Sequence, residues 1–209
     1  MLKILIADDH AIVRKGLKQI LSNNADMTVA GEAASGAQAL EMIRNEDWDV
    51  VLLDISMPDG NGLDTLKQVK KEKPDLPILM LSIYPEDQYA IRTIKAGVSG
   101  YLTKDSAPEE LVEAIRKVAS GGKYISASLS EKLAEYLENK SERALHENLS
   151  DREYQVMVMI AAGKTVSQIA EEMCLSVKTI STNRSRALAK MGMDNNSQFT
   201  HYAVKQGLV

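Results

Sequence analysis

Three carboxylates in the N-terminal half stand where two short apolar runs end. Asp8 and Asp9 follow the run 2–7, and Asp54 follows the run 50–53. Runs of this kind indicate strands buried on both faces, as in a parallel sheet covered by helices. In such sheets ligands bind at the carboxyl ends of the strands. Carboxylates held close together repel one another unless a cation joins them, and their oxygens suit Mg²⁺, so the pattern predicts a magnesium site.

A second interpretation explains each carboxylate separately. Asp is a favoured N-cap residue, so each Asp would do no more than cap the helix that follows it. A single Asp at a strand end fits both interpretations. A shared site additionally requires that the strands ending at Asp8 and Asp54 lie side by side.

Apolar runs alternate with helical patterns through the first half of the chain. This alternation is typical of βαβ units and of a parallel sheet. Pro108 stands at the start of the fifth helix, where proline is favoured. The predicted strands are 3–7, 28–33, 50–54, 78–82 and 100–102. The predicted helices are 11–21, 36–44, 62–73, 85–96 and 108–119.

The stretch after Gly121 and Gly122 changes character. Residues 128–137 space apolar side chains on one side of a helix, and 138–148 is polar and charged. We therefore expect a linker helix followed by a flexible tether, with a first domain at 1–121, a linker at 122–148 and a second domain at 149–209. His146 in the tether and His201 near the C-terminus have no evident partners. The apolar side of the linker helix comprises Leu129, Leu133, Tyr136 and Leu137.

The second domain shows helical patterns only. Ser150 and Glu153 have the spacing of a capping box that begins a helix, which Gly163 ends. A short helix is predicted at 165–173, a longer one begins after Ser176, and a fourth covers 197–205. The residues of the third helix predicted to face inward are Val177, Ile180, Ala187, Leu188 and Met191.

The opposite face of the third helix carries polar and cationic side chains at helical spacing. Hydroxyl, Arg and Lys groups can hold DNA phosphates, and Asn or Arg can contact base edges in the major groove. On an arbitrary helix such a face is only a solvated surface. Here two short helices joined by a tight turn, the second of them basic, fit the helix-turn-helix plan. The residues of this face are Thr179, Thr182, Asn183, Arg186 and Lys190.

Composition limits the classes of function. The chain has 44% hydrophobic residues and a net charge of −4, which suits folded domains. Residues 149–209 hold 7 Lys and Arg against 5 Asp and Glu, and the first 148 hold 18 against 24, so only the second domain leans toward nucleic acid. No apolar run approaches the roughly 20 residues of a membrane span, and we expect a cytoplasmic protein with no membrane contact. The single cysteine, Cys174, is predicted to be a buried core residue.

Several motifs of the first domain follow one another in a familiar order. They are Asp8-Asp9-His10, the segment 53–62, Ser82 and the segment 100–105. In order and spacing they resemble the receiver domain of bacterial two-component response regulators. The resemblance implies a five-stranded, doubly wound, flavodoxin-like parallel sheet. His10 is interpreted only as the residue that opens the first helix beside the acidic pair.

The receiver resemblance also implies a role for each motif residue. Asp54 would accept a phosphoryl group, and Asp8, Asp9, Asp54 and the carbonyl oxygen of Ser56 would hold Mg²⁺. The residues that would contact the phosphoryl group or respond to it are Ser82, Lys104 and the aromatic switch residue Tyr101.

The second domain resembles the DNA-binding domain of the NarL/FixJ (LuxR-type) regulators, a small all-α helix-turn-helix domain. The motifs that carry this resemblance are 149–153, Ile169-Ala170, 175–182 and Lys190-Met191. Asn183 stands where many relatives carry His or Tyr, so no relative's base preference transfers to this chain. The residues expected at the DNA are Lys178, Thr179, Thr182, Asn183, Arg184, Arg186 and Lys190.

Together the resemblances imply a response regulator transcription factor. A sensor histidine kinase would phosphorylate Asp54, and the altered receiver would promote homodimerisation and control binding to double-stranded promoter DNA, with RNA polymerase as a further candidate partner. The only chemistry expected is Mg²⁺-dependent self-phosphorylation, so the chain is not expected to be an enzyme. A Mg²⁺-dependent phosphatase would need a substrate-binding cap, and no insertion follows any strand. A receiver that no longer accepts phosphate is disfavoured by the complete set of motif residues.

Overall fold

A computed structural model describes residues 1–57, 60–83, 86–126, 129–131 and 144–209. The chain divides into two compact units, Met1–Leu133 and Ala134–Val209. The predicted linker helix at 128–137 lies outside the described residues except for 129–131. No helix in the described ranges combines the length and the apolar character that crossing a bilayer requires.

The first unit contains a five-stranded parallel sheet in which the strands at 27–33, 2–7, 50–54, 78–82 and 100–103 lie side by side in that order. The predicted fold class is confirmed, and the predicted strands and helices of the sheet domain agree with the structure to within one residue at each end. The strands are β1 Leu2–Ala7, β2 Met27–Ala33, β3 Val50–Asp54, β6 Ile78–Ser82 and β7 Gly100–Thr103. The helices are α1 Ala11–Ser22, α2 Gly36–Asn45, α3 Gly62–Glu72, α4 Glu86–Lys95 and α5 Pro108–Ala119.

The central strands are apolar throughout because both faces of the sheet are covered. Alternate residues such as Ile4 and Leu52 pack in one buried cluster with Leu21 of α1 and Ile115 of α5. The residues between them on the strands face the other side, where α2 contacts β1 and α3 contacts β3. Every residue of β3 is buried, so Asp54 lies at the end of a fully enclosed strand.

A two-stranded antiparallel pair, β4 Ser56–Met57 and β5 Gly60–Asn61, follows β3. This pair could not be predicted from the sequence because each strand has only two residues. Gly62, which begins α3, packs directly on the end of β3. A Cβ atom at this position would lie 2.0 Å from the carbonyl oxygen of Asp54, so only glycine fits here.

The backbone after α5 returns to the sheet. Tyr124 forms a parallel bridge with Gly100 beside β7, and its amide donates to the Ser99 carbonyl at 2.9 Å. The Tyr124 hydroxyl donates to Glu110 Oε1 at 2.9 Å. A Cβ on Gly100 would lie 2.9 Å from both the Cβ and the carbonyl oxygen of Tyr124, so the bridge depends on glycine at this position.

The second unit is helical in its described part. Capping boxes at Ser150 with Glu153 and at Thr165 with Gln168 begin its first two α-helices. A left-handed Gly192 ends the third. The α-helices are α6 Asp151–Ala161, α7 Val166–Glu172, α8 Val177–Met191 and α9 Asn196–Lys205.

The prediction of a flexible tether up to residue 148 is wrong for Leu145–Asn148, which forms a 3-10 helix. His146 in this helix has a partner, since its Nδ1 lies 2.8 Å from the hydroxyl of Tyr202 on α9. Four residues are too few to give a helical apolar pattern, so the sequence did not reveal the element.

Two further expectations for the second unit are wrong. Cys174 is exposed, because it follows the last turn of α7 with a left-handed φ of 50° instead of lying inside the helix. Val177 is 51% exposed, because it occupies the first turn of α8, before the inward face is established. The other residues predicted to face inward from α8 are buried: Ile180, Ala187, Leu188 and Met191.

Candidate metal centre and nucleic-acid interface

The structure brings Asp8, Asp9 and Asp54 together at the carboxyl edge of the sheet. β1 lies beside β3 with Ala7 opposite Leu53, so the residues that end both strands share one edge. Asp8 and Asp54 are each 1% exposed. One oxygen from each of the three carboxylates and one His10 nitrogen all lie within 4.8 Å of one another.

Lys104, which follows β7, reaches this cluster with its ammonium group. The Nζ atom lies 2.7 Å from Asp8 Oδ2 and 2.8 Å from Asp54 Oδ2. Burial works to lower the pKa of Lys104, but the two carboxylates outweigh it and the pKa is raised. Burial also raises the pKa of the Asp54 carboxyl to about 6, against the attraction of Lys104. One ammonium therefore offsets only part of the charge of three carboxylates.

The donor set fits Mg²⁺. Asp8 Oδ2 and Asp9 Oδ1 are buried atoms that make no well-oriented hydrogen bond, although Lys104 lies close to the first and His10 to the second. Carboxylate oxygens clustered with unused lone pairs are the ligands that a hard cation accepts. Ser56 lies next to this cluster, since its backbone N–H donates to Asp54 Oδ1 at 3.2 Å.

Ser82 and Tyr101 lie on the two strands beyond β3. Ser82 ends β6 and is fully buried, and its carbonyl accepts from the Lys104 amide at 2.7 Å. Tyr101 on β7 is 1% exposed. In the described structure the aromatic ring is therefore enclosed and not at the surface. Backbone bonding between the ends of β6 and β7 links the positions of Ser82 and Lys104.

Sequence reasoning missed the contact of Arg14 with the acidic pair, and it placed His10 beside that pair without assigning it a contact. Arg14 on α1 donates from Nη1 to the carbonyl oxygen of Asp8 at 2.7 Å, which fixes the backbone between the carboxylates. His10 Nδ1 lies 2.7 Å from Asp9 Oδ1 and 3.3 Å from Asp8 Oδ1. The position of His10 directly after two acidic residues was the available signal, whereas a single Arg on a helix gives none.

Most of the polar residues on α8 lie at the surface. Thr179, Thr182 and Arg186 are exposed, and Asn183 is partly exposed. The amide of Asn183 donates to the Thr179 carbonyl at 3.0 Å, which holds this side chain along the helix. The side chains of Lys178 and Arg186 form no hydrogen bond or ion pair within the described ranges. These two cations are therefore available to an outside anion.

Two cations of α8 are instead bound within the unit. Lys190 Nζ lies 2.6 Å from Glu153 Oε2, and the Glu153 side chain is only 5% exposed. Burial works to raise the pKa of Glu153, but hydrogen bonds from Lys190 and Ser150 lower it below the ordinary value. Arg184 donates to the side-chain carbonyl oxygen of Asn196, at the start of α9. These contacts hold α8 against α6 and α9.

Family models match both parts of the chain. The response regulator receiver domain matches residues 4–116, and the luxR family of bacterial regulatory proteins matches residues 147–203. Response regulator UvrY of Escherichia coli strain K12 is 36% identical over 209 residues, which cover 100% of this chain and 96% of UvrY.

Solved structures of RcsB are similar in fold. RcsB from Salmonella enterica serovar Typhimurium, bound to promoter rprA in the presence of phosphomimetic BeF3−, is 25% identical with a TM-score of 0.63. The match covers 96% of this chain and 97% of that one. A structure of two RcsB dimers bound to two parallel DNAs is 28% identical with a TM-score of 0.60, covering 97% and 98% of the two chains.

Proposed function

The chain belongs to the two-component response regulators that join a receiver domain to a LuxR-type DNA-binding domain, and from this membership we propose that Asp54 is its phosphoacceptor. A sensor histidine kinase would supply the phosphoryl group. The observation that carries the proposal is the position of Asp54, which ends the central strand within reach of Lys104 and two further carboxylates. We place this activity in the cytoplasm, where a DNA-binding protein meets both its kinase and its promoters.

The proposed step is a phosphoryl transfer between two side chains. The P–N bond of a kinase phosphohistidine breaks as an Asp54 oxygen forms the new P–O bond, and the electron pair of the broken bond stays on the histidine nitrogen. Bound Mg²⁺, held by Asp8, Asp9, Asp54 and the Ser56 carbonyl, would neutralise negative charge on the transferring group. Lys104 already contacts Asp54 Oδ2, so its ammonium needs only a short movement to contact a phosphoryl oxygen.

The response to phosphorylation would involve Ser82 and Tyr101. A phosphoryl group adds charge and acceptor oxygens beside Asp54, which Ser82 and Lys104 can contact. Tyr101 would then repack against the space that Ser82 leaves. To change the receiver from mostly inactive to mostly active, the phosphoryl group must stabilise the active conformation over the inactive one by about 3 to 5 kcal/mol. Several charge-assisted hydrogen bonds can supply this difference.

DNA recognition is proposed for the exposed face of α8. Lys178 and Arg186 would hold phosphates, since their side chains are exposed and form no hydrogen bond or ion pair within the described ranges. Thr179, Thr182 and Asn183 would lie nearest the base edges. Arg184 and Lys190 would act mainly by holding α8 in place, because both are bound within the unit.

The test of the proposed function is phosphorylation of the full chain by acetyl phosphate in Mg²⁺. Asp54→Asn should abolish incorporation of hydroxylamine-labile acyl phosphate, because an amide is a poor nucleophile of nearly the same shape. Asp47→Asn is a matched control, since the Asp47 side chain is fully exposed and lies outside the acidic site. Phosphate retained by Asp54→Asn at the level of this control would reject Asp54 as the acceptor.

A further inference from the structure

We propose that His10 is a nitrogen ligand of the acidic site and that it lets the site bind divalent transition metals in preference to Mg²⁺. The inference rests on the proposed metal site and adds to it the class of cation that the site selects. Co²⁺, Ni²⁺ and Zn²⁺ are the ions concerned, because imidazole nitrogen is a ligand that they accept readily.

The geometry of the cluster separates the two oxygens of Asp8. Oδ2 lies 2.7 Å from Lys104 Nζ, so the ammonium occupies that side. Oδ1 lies 3.3 Å from His10 Nδ1, on the other side of the carboxylate. A cation on this second side would be met by Asp8 Oδ1, Asp9 Oδ1 and His10 Nδ1 together. One ligand atom from each of Asp8, Asp9, His10 and Asp54 lies within 4.8 Å of the others, close to the roughly 4.2 Å that separates opposite ligands around a small divalent ion.

The backbone fixes His10 for this role. Its N–H donates to Asp8 Oδ1 at 2.8 Å, and its carbonyl accepts from the Arg14 amide at 3.1 Å as α1 begins. His10 is the N-cap residue of α1, but its side chain makes no capping hydrogen bond. The imidazole is therefore not needed to start the helix, although it lies beside the carboxylates. Asp9 Oδ1 is buried, makes no well-oriented hydrogen bond and lies 2.7 Å from His10 Nδ1, so one cation would contact both atoms.

The donor set determines which ion is favoured. A site of carboxylates and a backbone carbonyl suits Mg²⁺, which prefers oxygen and keeps several waters. Adding one imidazole increases the affinity for Co²⁺, Ni²⁺ and Zn²⁺ much more than the affinity for Mg²⁺, because imidazole nitrogen suits these transition metals whereas Mg²⁺ prefers oxygen ligands. The alternative is that the His10 Nδ1–H group only donates a hydrogen bond to Asp9, in which case metal preference would not depend on it.

The experiment measures Co²⁺ and Mg²⁺ affinity of the full chain by calorimetry, with the visible absorption of bound Co²⁺ as a second readout. His10→Ala should weaken Co²⁺ binding by about tenfold or more and alter the Co²⁺ spectrum, since even outer groups at metal sites contribute this much. Mg²⁺ affinity should change by less than about twofold. His10→Gln should resemble His10→Ala, and His201→Ala, which removes an exposed histidine from the other unit, should resemble the wild type.

Two results would overturn the assignment of His10. One is a Co²⁺ affinity and spectrum that do not change in His10→Ala. The other is an equal loss of Co²⁺ and Mg²⁺ affinity, which would mean that His10 supports the acidic loop in general and selects no metal. Wild-type phosphorylation in Mg²⁺ is measured on the same preparation. Its absence would reject the proposed function, whereas its presence beside either of these two results would reject only the role of His10.

Discussion

The buried charge of Asp54 makes the stability of the receiver depend on pH. Burial raises the pKa of this carboxyl from 3.8 to about 6 in the folded protein. Well below pH 3.8 the group is protonated in both states and does not change the free energy of unfolding. As the pH rises through 4 to 6, the unfolded chain ionises first, so stability is lost. Above pH 6 the group is ionised in both states, and the loss of stability is complete. The pKa difference corresponds to a loss of about 3 kcal/mol in the free energy of unfolding.

The free energy of unfolding of Asp54→Asn should therefore exceed that of the wild type by an amount that grows as the pH rises from 4 to 7. The comparison is made with a chelator present, so that no metal binds the site. Urea unfolding at several pH values, followed by Trp48 fluorescence, measures this difference. Trp48 is buried and is the only tryptophan in the chain, so it reports on the receiver alone. A difference between the two proteins that is constant over this pH range would show that Asp54 is ionised at the same pH in both states.

The Lys190 side chain is expected to stabilise the second unit more than it binds DNA. Lys190→Ala leaves the carboxylate of the buried Glu153 without its cation, and we expect a loss of about 1 to 2 kcal/mol in unfolding free energy. This value is below that of a fully buried pair because the Lys190 side chain is 44% exposed.

Arg186→Ala is the matched comparison on the same helix. Its side chain is exposed and unbonded within the described ranges, so stability should change by less than about 0.5 kcal/mol. The dependence of log affinity on log salt should fall by about one. Denaturant titration and DNA binding at several salt concentrations distinguish the two variants. If Lys190→Ala were as stable as the wild type and reduced the salt dependence like Arg186→Ala, then Lys190 would be a phosphate contact.

At the scale of elements, the join between β3 and α3 depends on Gly62. A methyl group here would overlap the carbonyl group of Asp54. Because the atoms it would meet belong to the backbone, no side-chain movement relieves the overlap. Gly62→Ala should cost about 1 to 3 kcal/mol and displace the end of β3, so Asp54 phosphorylation should fall as well. Gly16→Ala is the control, since nothing lies within 4 Å of a Cβ at that position in α1 and alanine should stabilise the helix by about 0.5 to 1 kcal/mol.

Unfolding by urea and phosphate incorporation measure both effects of Gly62→Ala. A Gly62→Ala protein as stable and as readily phosphorylated as Gly16→Ala would mean that α3 can move away from β3 at little cost.

Elements with a clear period could be predicted from the sequence, and short or locally determined features could not. Buried strands such as β3 are predicted by their apolar runs. The acidic cluster could also be predicted, because its carboxylates directly follow two of these runs. The antiparallel pair of β4 and β5 and the 3-10 helix Leu145–Asn148 are too short to show a period. Two other features depend on how helices pack against one another: the left-handed turn at Cys174 and the pairing of Lys190 with Glu153. The spacing of residues along a single helix carries no information about such packing.

At the scale of the whole molecule, phosphorylation should be coupled to DNA binding through dimerisation. One helix-turn-helix unit makes few base contacts, so useful specificity requires two copies on two half-sites. We expect the phosphorylated full chain to sediment as a dimer and to protect an inverted or direct repeat. Its affinity should be at least about fivefold higher than that of the unphosphorylated chain. Footprinting and sedimentation test this, with Asp54→Asn as the form that should not respond. A phosphorylated monomer that protects a single half-site would contradict the prediction.

The bridge between Gly100 and Tyr124 determines where the receiver can be separated from the rest of the chain. β7 lies at the edge of the sheet. The unpaired backbone N–H and C=O groups of an open edge can form hydrogen bonds with a strand of another molecule. Tyr124 occupies part of this edge, although it lies beyond the boundary that the sequence predicted at residue 121. A receiver fragment that stops at Gly121 would therefore expose an uncovered strand and tend to aggregate, whereas one that extends to Ser126 retains its own edge protection.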